Sequence, residues 1–148
     1  MIELVRAIKE GIPEVIDFVE AFYAIDGYPF DVDRANDNVD TFISNEQLGR
    51  LWLIQLEGQS VGYVAFTFGF SFEYGGRDAF IDELYIDKAH RSKGYGKAVL
   101  NQLDIEAKAL GIRALHLEVE AHNEQGQELY RKSGFDSKSR VLMTKSLD

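Results

Sequence analysis

The sequence has no cysteine, only two prolines and no long apolar run. The lack of cysteines and of long apolar runs excludes several classes of protein. Without cysteine there is no disulfide, no thiolate metal ligand and no catalytic thiol. No stretch approaches the roughly 20 apolar residues of a membrane-spanning helix. The opening stretch "MIELVRAIKEGIPEV" carries charges throughout, unlike a signal peptide. We therefore expect a cytoplasmic protein with no membrane partner. The three histidines lack metal-ligand spacing, so no metal is expected.

The chain is also poor in positive charge. It has 25 acidic and 16 basic residues, a formal net charge of −9 at pH 7. Such a surface repels the phosphates of nucleic acids, so we expect no nucleic-acid partner. It permits cationic small molecules to approach through electrostatic steering. With 148 residues, no internal repeat and no linker, the chain is predicted to form one domain, 1–148.

Hydrophobic periodicity predicts four helices and six strands. Four helices are predicted, at 12–26, at 34–46, after the glycine-containing stretch that ends near 97, and at 124–133. Strands are predicted at 4–9, 50–57, 61–72, 79–87, 113–120 and 140–147. The order β-α-α-β-β-β-α-β-α-β is typical of a mixed α/β sheet. Trp52 and the aromatic run from Phe66 to Phe72 are interpreted as core or sheet-face residues.

The stretch "HRSKGYGKAV" (90–99) concentrates basic residues around two glycines, between a predicted strand and a predicted helix. Free N–H groups at a helix N-terminus bind phosphates, and glycine lets the backbone approach such a ligand closely. The glycines stand too close together for a P-loop, and Val99 replaces the third glycine of a dinucleotide fingerprint. The stretch is therefore interpreted as an anion cradle, with a plain turn carrying solvated lysines as the alternative.

The wider spacing resembles a known signature. Ile86, four residues, Arg91, two residues, Gly94, one residue and Gly96 are similar to the acetyl-CoA signature of the GNAT superfamily of N-acetyltransferases. The segment "EVEAHNEQGQELYRKSGF" (118–135) resembles the family's second motif, a strand, an Asn and a helix with a Tyr. The resemblance implies a mixed, mostly antiparallel sheet flanked by helices. The stretch "FIDELYIDKAHRSKGYG" resembles the diamine and polyamine acetyltransferase branch.

The resemblance also implies acetyl-CoA as co-substrate and a set of residues that bind it. The backbone of β-strand residues Leu84, Tyr85 and Ile86 would pair with the pantetheine arm. Arg91 would shape the following loop. The loop amides would hold the pyrophosphate; they belong to Ser92, Lys93, Gly94, Tyr95, Gly96 and Lys97. Asn123 would contact the cofactor, and Tyr130 would donate a hydrogen bond or a proton to the departing CoA sulfur.

An acceptor amine must lose a proton before it attacks, because a lysine-like amine has a pKa of about 10.4. The candidate bases are Asp82, Glu83 and Glu118. Successive residues of a regular strand face opposite ways, so Asp82 and Glu83 should not both face one site. The branch resemblance favours Asp82 as the amine contact, although the order of the acidic pair is reversed here. Tyr28 and Phe30 lie in the loop between the first two helices, where members of the family often build the acceptor pocket.

We therefore expect an N-acetyltransferase that acts on a small primary amine, either a di- or polyamine or an amino-acid-like amine, by direct transfer in a ternary complex. The alternatives are a protein N-terminal or lysine acetyltransferase, a non-catalytic acyl-CoA sensor, and a nucleotide-binding regulatory domain. Dimers are frequent in the family, and the resemblance extends the expectation to a homodimer.

Overall fold

The computed structural model describes residues 1–148, and they form two compact units, Met1–Glu118 and Val119–Asp148. The first unit holds five strands and three α-helices, with short 3-10 turns at Lys9–Gly11 and Lys88–His90. In chain order these elements are β1 (Ile2–Arg6), α1 (Ile12–Ile25), α2 (Val32–Ile43), β2 (Gly49–Leu56), β3 (Gln59–Ser71), β4 (Gly76–Ile86), α3 (Tyr95–Ala109) and β5 (Ala114–His116). The second unit holds α4 (Glu124–Lys132).

The five strands form one sheet in the order β1-β2-β3-β4-β5. The first three pairings are antiparallel and the β4–β5 pairing is parallel. Helices connect or flank the strands, so the predicted mixed, mostly antiparallel α/β sheet is confirmed. None of the helices has the length and apolar character that a bilayer crossing needs.

Two strand predictions are wrong in the C-terminal third. The fifth strand ends at His116 rather than at residue 120, because only residues 114–116 pair with β4. No strand forms at 140–147, where the apolar side chains are exposed. An alternating pattern predicts a strand only if a neighbouring strand pairs with it and one face is buried. The 140–147 segment has neither in this structure.

One face of the sheet packs against α1. Val15 and Val19 of α1 are buried against Leu51 and Leu53 of β2 and Tyr63 of β3. Alternate residues of β2 and β3 point to this face because side chains alternate along a strand. Partly buried residues of α2, among them Val39 and Phe42, pack against the same cluster. This helical layer and the sheet below it enclose the cavity described next.

The opposite face buries the intervening residues. Trp52 and Phe66 are 2% and 0% exposed, with an edge-to-face ring contact at 5.1 Å between centroids. Phe70 and Phe72 follow Phe66 along β3 but are 73% and 94% exposed. Of the aromatic run interpreted as core or sheet-face residues, Phe66 is in the core. Phe70, next to the end of β3, and Phe72, one residue beyond that end, are not buried.

Candidate functional site

A β-bulge in β4 controls the direction of the acidic pair. Ala65 of β3 pairs with Glu83, whereas the next residue, Phe66, pairs with Ile81. Asp82 is thus an extra residue on β4, with no partner on β3. The bulge breaks the alternation, and both Asp82 and Glu83 line the same cavity. The expectation that only one of the two acids faces the site is therefore wrong, because it assumed a regular strand.

Glu83 is held in a fixed position by two phenols. The Tyr23 hydroxyl of α1 donates a hydrogen bond to Oε2 at 2.6 Å, and the Tyr63 hydroxyl of β3 donates to Oε1 at 2.7 Å. Burial raises the pKa of Glu83, and the two hydrogen bonds oppose that rise because they favour the ionised form. Burial and the neighbouring Glu83 carboxylate raise the pKa of both tyrosines, which therefore stay protonated.

Asp82 differs from Glu83 in having no hydrogen-bond or ion-pair partner in the protein. Asp82 lines the cavity, where the loss of surrounding water raises the pKa of its carboxyl. The residue keeps an accessible surface toward the cavity. A carboxylate that is partly desolvated and without a partner is suited to receive a cation.

The cavity measures 480 Å³ and lies between α1, α2 and strands β2, β3 and β4. Its apolar wall comes mainly from Val15, Val19, Phe30, Phe42 and Leu51. Its charged lining consists of four residues, namely Asp31, Arg34, Asp82 and Glu83. This size falls in the range of small-molecule pockets, about 300–1,000 Å³. No group of three or more His, Asp or Glu side chains in the structure could hold a metal ion.

The edge of β4 next to the cavity is open. β5 pairs with β4 only from Asp78 to Phe80, whereas β4 continues to Ile86. The backbone of Leu84, Tyr85 and Ile86 is thus bonded to β3 on one side and to no strand on the other. The Tyr85 ring is buried in the core cluster, so only the backbone of Tyr85 is available to a ligand. An extended ligand could add to this edge as a further strand does.

The loop after β4 leads into the N-terminus of α3. Gly94 is the N-cap residue with φ of 81°, and no side chain caps the first turn, which contains no acidic residue. Lys93 and Lys97 are exposed on either side of Gly94. Uncapped N–H groups, the positive end of the helix dipole and two lysines fit a pyrophosphate. These features of Ser92–Lys97 are compatible with an anion cradle, and its ligand stays a prediction.

The side chain of Arg91 makes its contacts with the end of β4. Its Nε donates to the carbonyl oxygen of Ile86 at 2.8 Å, and its guanidinium lies 5.4 Å from the centre of the Tyr85 ring. These contacts fold the loop back onto the end of β4. They agree with the expectation that Arg91 mainly shapes the loop and does not bind the phosphates of the ligand.

The second unit contains the other predicted pair. Asn123 is the N-cap of α4 and its side-chain oxygen accepts from the Gly126 N–H at 2.9 Å. A side chain at Gly126 would overlap the Asn123 amide, which explains the small residue there. Tyr130 makes an edge-to-face contact with Phe135, its hydroxyl has no hydrogen-bond partner, and burial raises its pKa. Its phenol therefore remains a proton donor at neutral pH.

Two predicted residues do not line the cavity. Glu118 lies two residues beyond the end of β5 and is exposed, so it is not the strand residue that the sequence predicted. Tyr28 is 55% exposed in the loop between α1 and α2, whereas Phe30 from the same loop does line the cavity.

Three residues of the site, Tyr23, Tyr63 and Arg34, were not predicted from the sequence. Tyr23 stands on the apolar face of α1 and Tyr63 at an inward position of β3, so their spacing indicated burial and gave no sign of a shared carboxylate partner. Arg34 is the first residue of the predicted 34–46 helix, and nothing in the sequence around it indicates that it lines a cavity. A buried tyrosine needs a partner for its hydroxyl, which is the one signal that could have linked Tyr23 and Tyr63 to an acid.

Comparison with known proteins gives a consistent result. Residues 15–135 match the Acetyltransferase (GNAT) family. YycN, an uncharacterized N-acetyltransferase of Bacillus subtilis, is 40% identical over 75 residues, which are 51% of this chain and 47% of that protein. An uncharacterized N-acetyltransferase of Methanocaldococcus jannaschii is 31% identical over 91 residues, which are 61% of this chain and 40% of that protein.

A solved structure extends the likeness over the whole fold. An integron cassette protein from the mobile metagenome of Cole Harbour Salt Marsh has a TM-score of 0.87 and 31% identity, covering 98% of this chain and 90% of that one. The matches to the two curated relatives span less than half of each relative's length. The family match includes the cavity, the open edge of β4, the cradle and the α4 pair. The chain belongs to the acetyltransferase (GNAT) family.

Proposed function

We propose that this chain transfers the acetyl group of acetyl-CoA to the primary amine of a small molecule. The observation that carries the proposal is the cavity, which receives two carboxylates from the bulge in β4 and lies beside the open edge of that strand. Family membership supports acetyl transfer, and the size of the cavity supports a small acceptor. The di- and polyamine branch and the amino-acid-like amines are the two acceptor classes under consideration.

Acetyl-CoA would supply the acetyl group as an activated thioester. The Ser92–Lys97 loop and the first turn of α3 would bind its pyrophosphate, and the backbone of Leu84–Ile86 would bind its pantetheine arm. Gly94 fits this role because an added Cβ would meet nothing within 4 Å, so the loop backbone is open to a ligand. An N–H at Leu84 or Ile86 would stabilise negative charge that develops on the reacting carbonyl oxygen.

Glu83 would accept the proton of the acceptor amine, directly or through water, while Asp82 would hold the amine in place. The two tyrosine hydrogen bonds keep the Glu83 carboxylate in one orientation, which favours a defined path for the proton. The chain contributes no covalent nucleophile to this scheme, so the main contribution is to hold the amine against the carbonyl carbon. Tyr130 would donate to the departing sulfur, and Asn123 would contact the cofactor through the side-chain NH₂ that its capping bond leaves available.

Replacing Tyr130 by Phe tests the catalytic part of the proposal. We expect kcat to fall by about 10²-fold or more, because a proton donor to the leaving group is lost. Acetyl-CoA binding measured by calorimetry should stay unchanged, since the substitution removes one hydroxyl. CoA release with a panel of amines gives the rate. A variant with wild-type kcat would exclude Tyr130 as the donor.

A second candidate is an acyl-CoA sensor that binds the cofactor without transfer. It would keep the cradle and lose the need for Glu83 and Asp82 in the cavity, so tight acetyl-CoA binding with no acetylated product would favour it. A protein N-terminus or lysine as acceptor would give product only with peptides.

The homodimer and the cytoplasmic location stay predictions. Light scattering tests the homodimer, and fractionation of cells tests the location.

A further inference from the structure

The charged lining of the cavity contains two groups that have no partner within the protein. Asp31 caps α2 and its Oδ1 accepts from the backbone N–H groups of Asp33 and Arg34 at 3.0 and 3.1 Å. Glu83 is occupied by its two tyrosines. The Asp82 carboxylate and the Arg34 guanidinium remain, and neither makes a hydrogen bond or an ion pair with a protein side chain.

Arg34 lacks a partner although it lies in an acidic stretch of the sequence. Acidic residues at 31, 33 and 37 flank it in the sequence, yet its guanidinium pairs with none of them. Elsewhere in the structure Arg6 and Arg50 both pair with Glu46, at 2.7 and 3.1 Å. Arg34 is also the only positively charged residue in the lining of the cavity. It lies on the α2 wall, whereas Asp82 lies on the β4 wall.

From this arrangement we infer that the acceptor is an amino-carboxylate, a small molecule that carries a carboxylate as well as its primary amine, and that Arg34 is the residue that selects it. The inference rests on the proposed function and names the substrate class of that same site. Asp82 receives the amine, next to Glu83. Arg34 receives the carboxylate, because a guanidinium binds a carboxylate through two parallel hydrogen bonds.

The rival class of acceptors, the diamines, fits this lining less well. A diamine bound by Asp82 has a second ammonium that needs a further carboxylate. The other two carboxylates of the lining already accept hydrogen bonds within the protein, and Arg34 is itself positively charged. Like charges repel each other, and the repulsion is stronger at a partly buried site than in water. The lining of the same cavity includes Val15, Val19, Phe30 and Phe42, which suits a ligand with an apolar body as well as an amine and a carboxylate.

Matched pairs of acceptors test the inference. Phenylalanine is compared with phenethylamine, and lysine with cadaverine, because each pair differs only in the carboxylate. We expect kcat/KM to be at least about tenfold higher for the amino acid of each pair, the size of one charged hydrogen-bonding contact. In R34Q this preference should fall at least about tenfold, mainly through KM, and in R34K it should fall less.

The matched control is R113Q. Arg113 is exposed, makes no ion pair and does not line the cavity. Its replacement should therefore leave the preference for amino acids at the wild-type value. Mass spectrometry of the products shows which amine of lysine is acetylated. Wild-type preference for phenethylamine and cadaverine, or an unchanged preference in R34Q, would overturn the inference while the proposed function stands. No acetylated product from either class would overturn both.

Discussion

At the scale of single residues, Glu83 combines burial with two phenolic donors. Burial raises the pKa of its carboxyl, while the hydrogen bonds from Tyr23 and Tyr63 limit the rise. A raised carboxyl pKa means that the folded protein favours the protonated form. The Glu83 contribution to stability is therefore present at low pH and is lost as the pH rises through the folded-state pKa. Glu83 thus carries a stability cost at neutral pH that its proposed role as proton acceptor explains.

The pH profile of the E83Q variant tests that role. In the wild type, kcat/KM should rise with pH through the Glu83 pKa, above the ordinary glutamate value of about 4.3, since the ionised form is the acceptor. In E83Q that rise should disappear and kcat should fall about 10²-fold or more. Thermal unfolding at neutral pH should show no loss of stability.

E20Q is the control for this substitution. Glu20 is exposed on α1 and does not line the cavity, so E20Q should keep both the rate and the profile of the wild type. An E83Q variant that keeps the same pH profile as the wild type would show that another group accepts the proton.

At the scale of elements, the sequence predicted the helices and strands that are marked by a local pattern of apolar residues. The helices at 12–25 and 95–109 follow from apolar periodicity, and strands β2 to β4 follow from apolar runs between turn residues. The short β5 and the unpaired 140–147 segment were not predictable in this way, because strand length depends on pairing with a neighbour. The bulge at Asp82 is also a property of the β3–β4 register, and it determines which acids enter the cavity.

The start of α3 allows a test of the cradle through two glycines of similar conformation. Gly94 before the helix and Gly111 after it have φ of 81° and 73°, and an added Cβ would meet nothing within 4 Å at either position. G94A and G111A should each lower the free energy of unfolding by about 1 kcal/mol, because alanine disfavours positive φ. Only G94A should weaken acetyl-CoA binding. Denaturant unfolding and calorimetry measure the two effects, and equal affinities in both variants would contradict the cradle.

At the scale of the whole molecule, the chain is strongly acidic while its predicted cofactor is an anion. The net charge of −9 gives a field that attracts amines. Positive charge is placed locally, with Lys93 and Lys97 at the cradle and Arg34 at the cavity. This distribution would keep the proposed pyrophosphate site apart from the proposed amine site.

The most direct test of acetyl transfer is to incubate the purified protein with acetyl-CoA and the amines and amino acids above, and to detect products by mass spectrometry. Acetyl-CoA binding is measured in parallel by calorimetry. We predict acetyl-CoA binding and an N-acetylated small molecule whose formation depends on both the protein and acetyl-CoA. Binding without any acetylated product would contradict transfer to these acceptors, and the absence of binding would contradict the cradle as well.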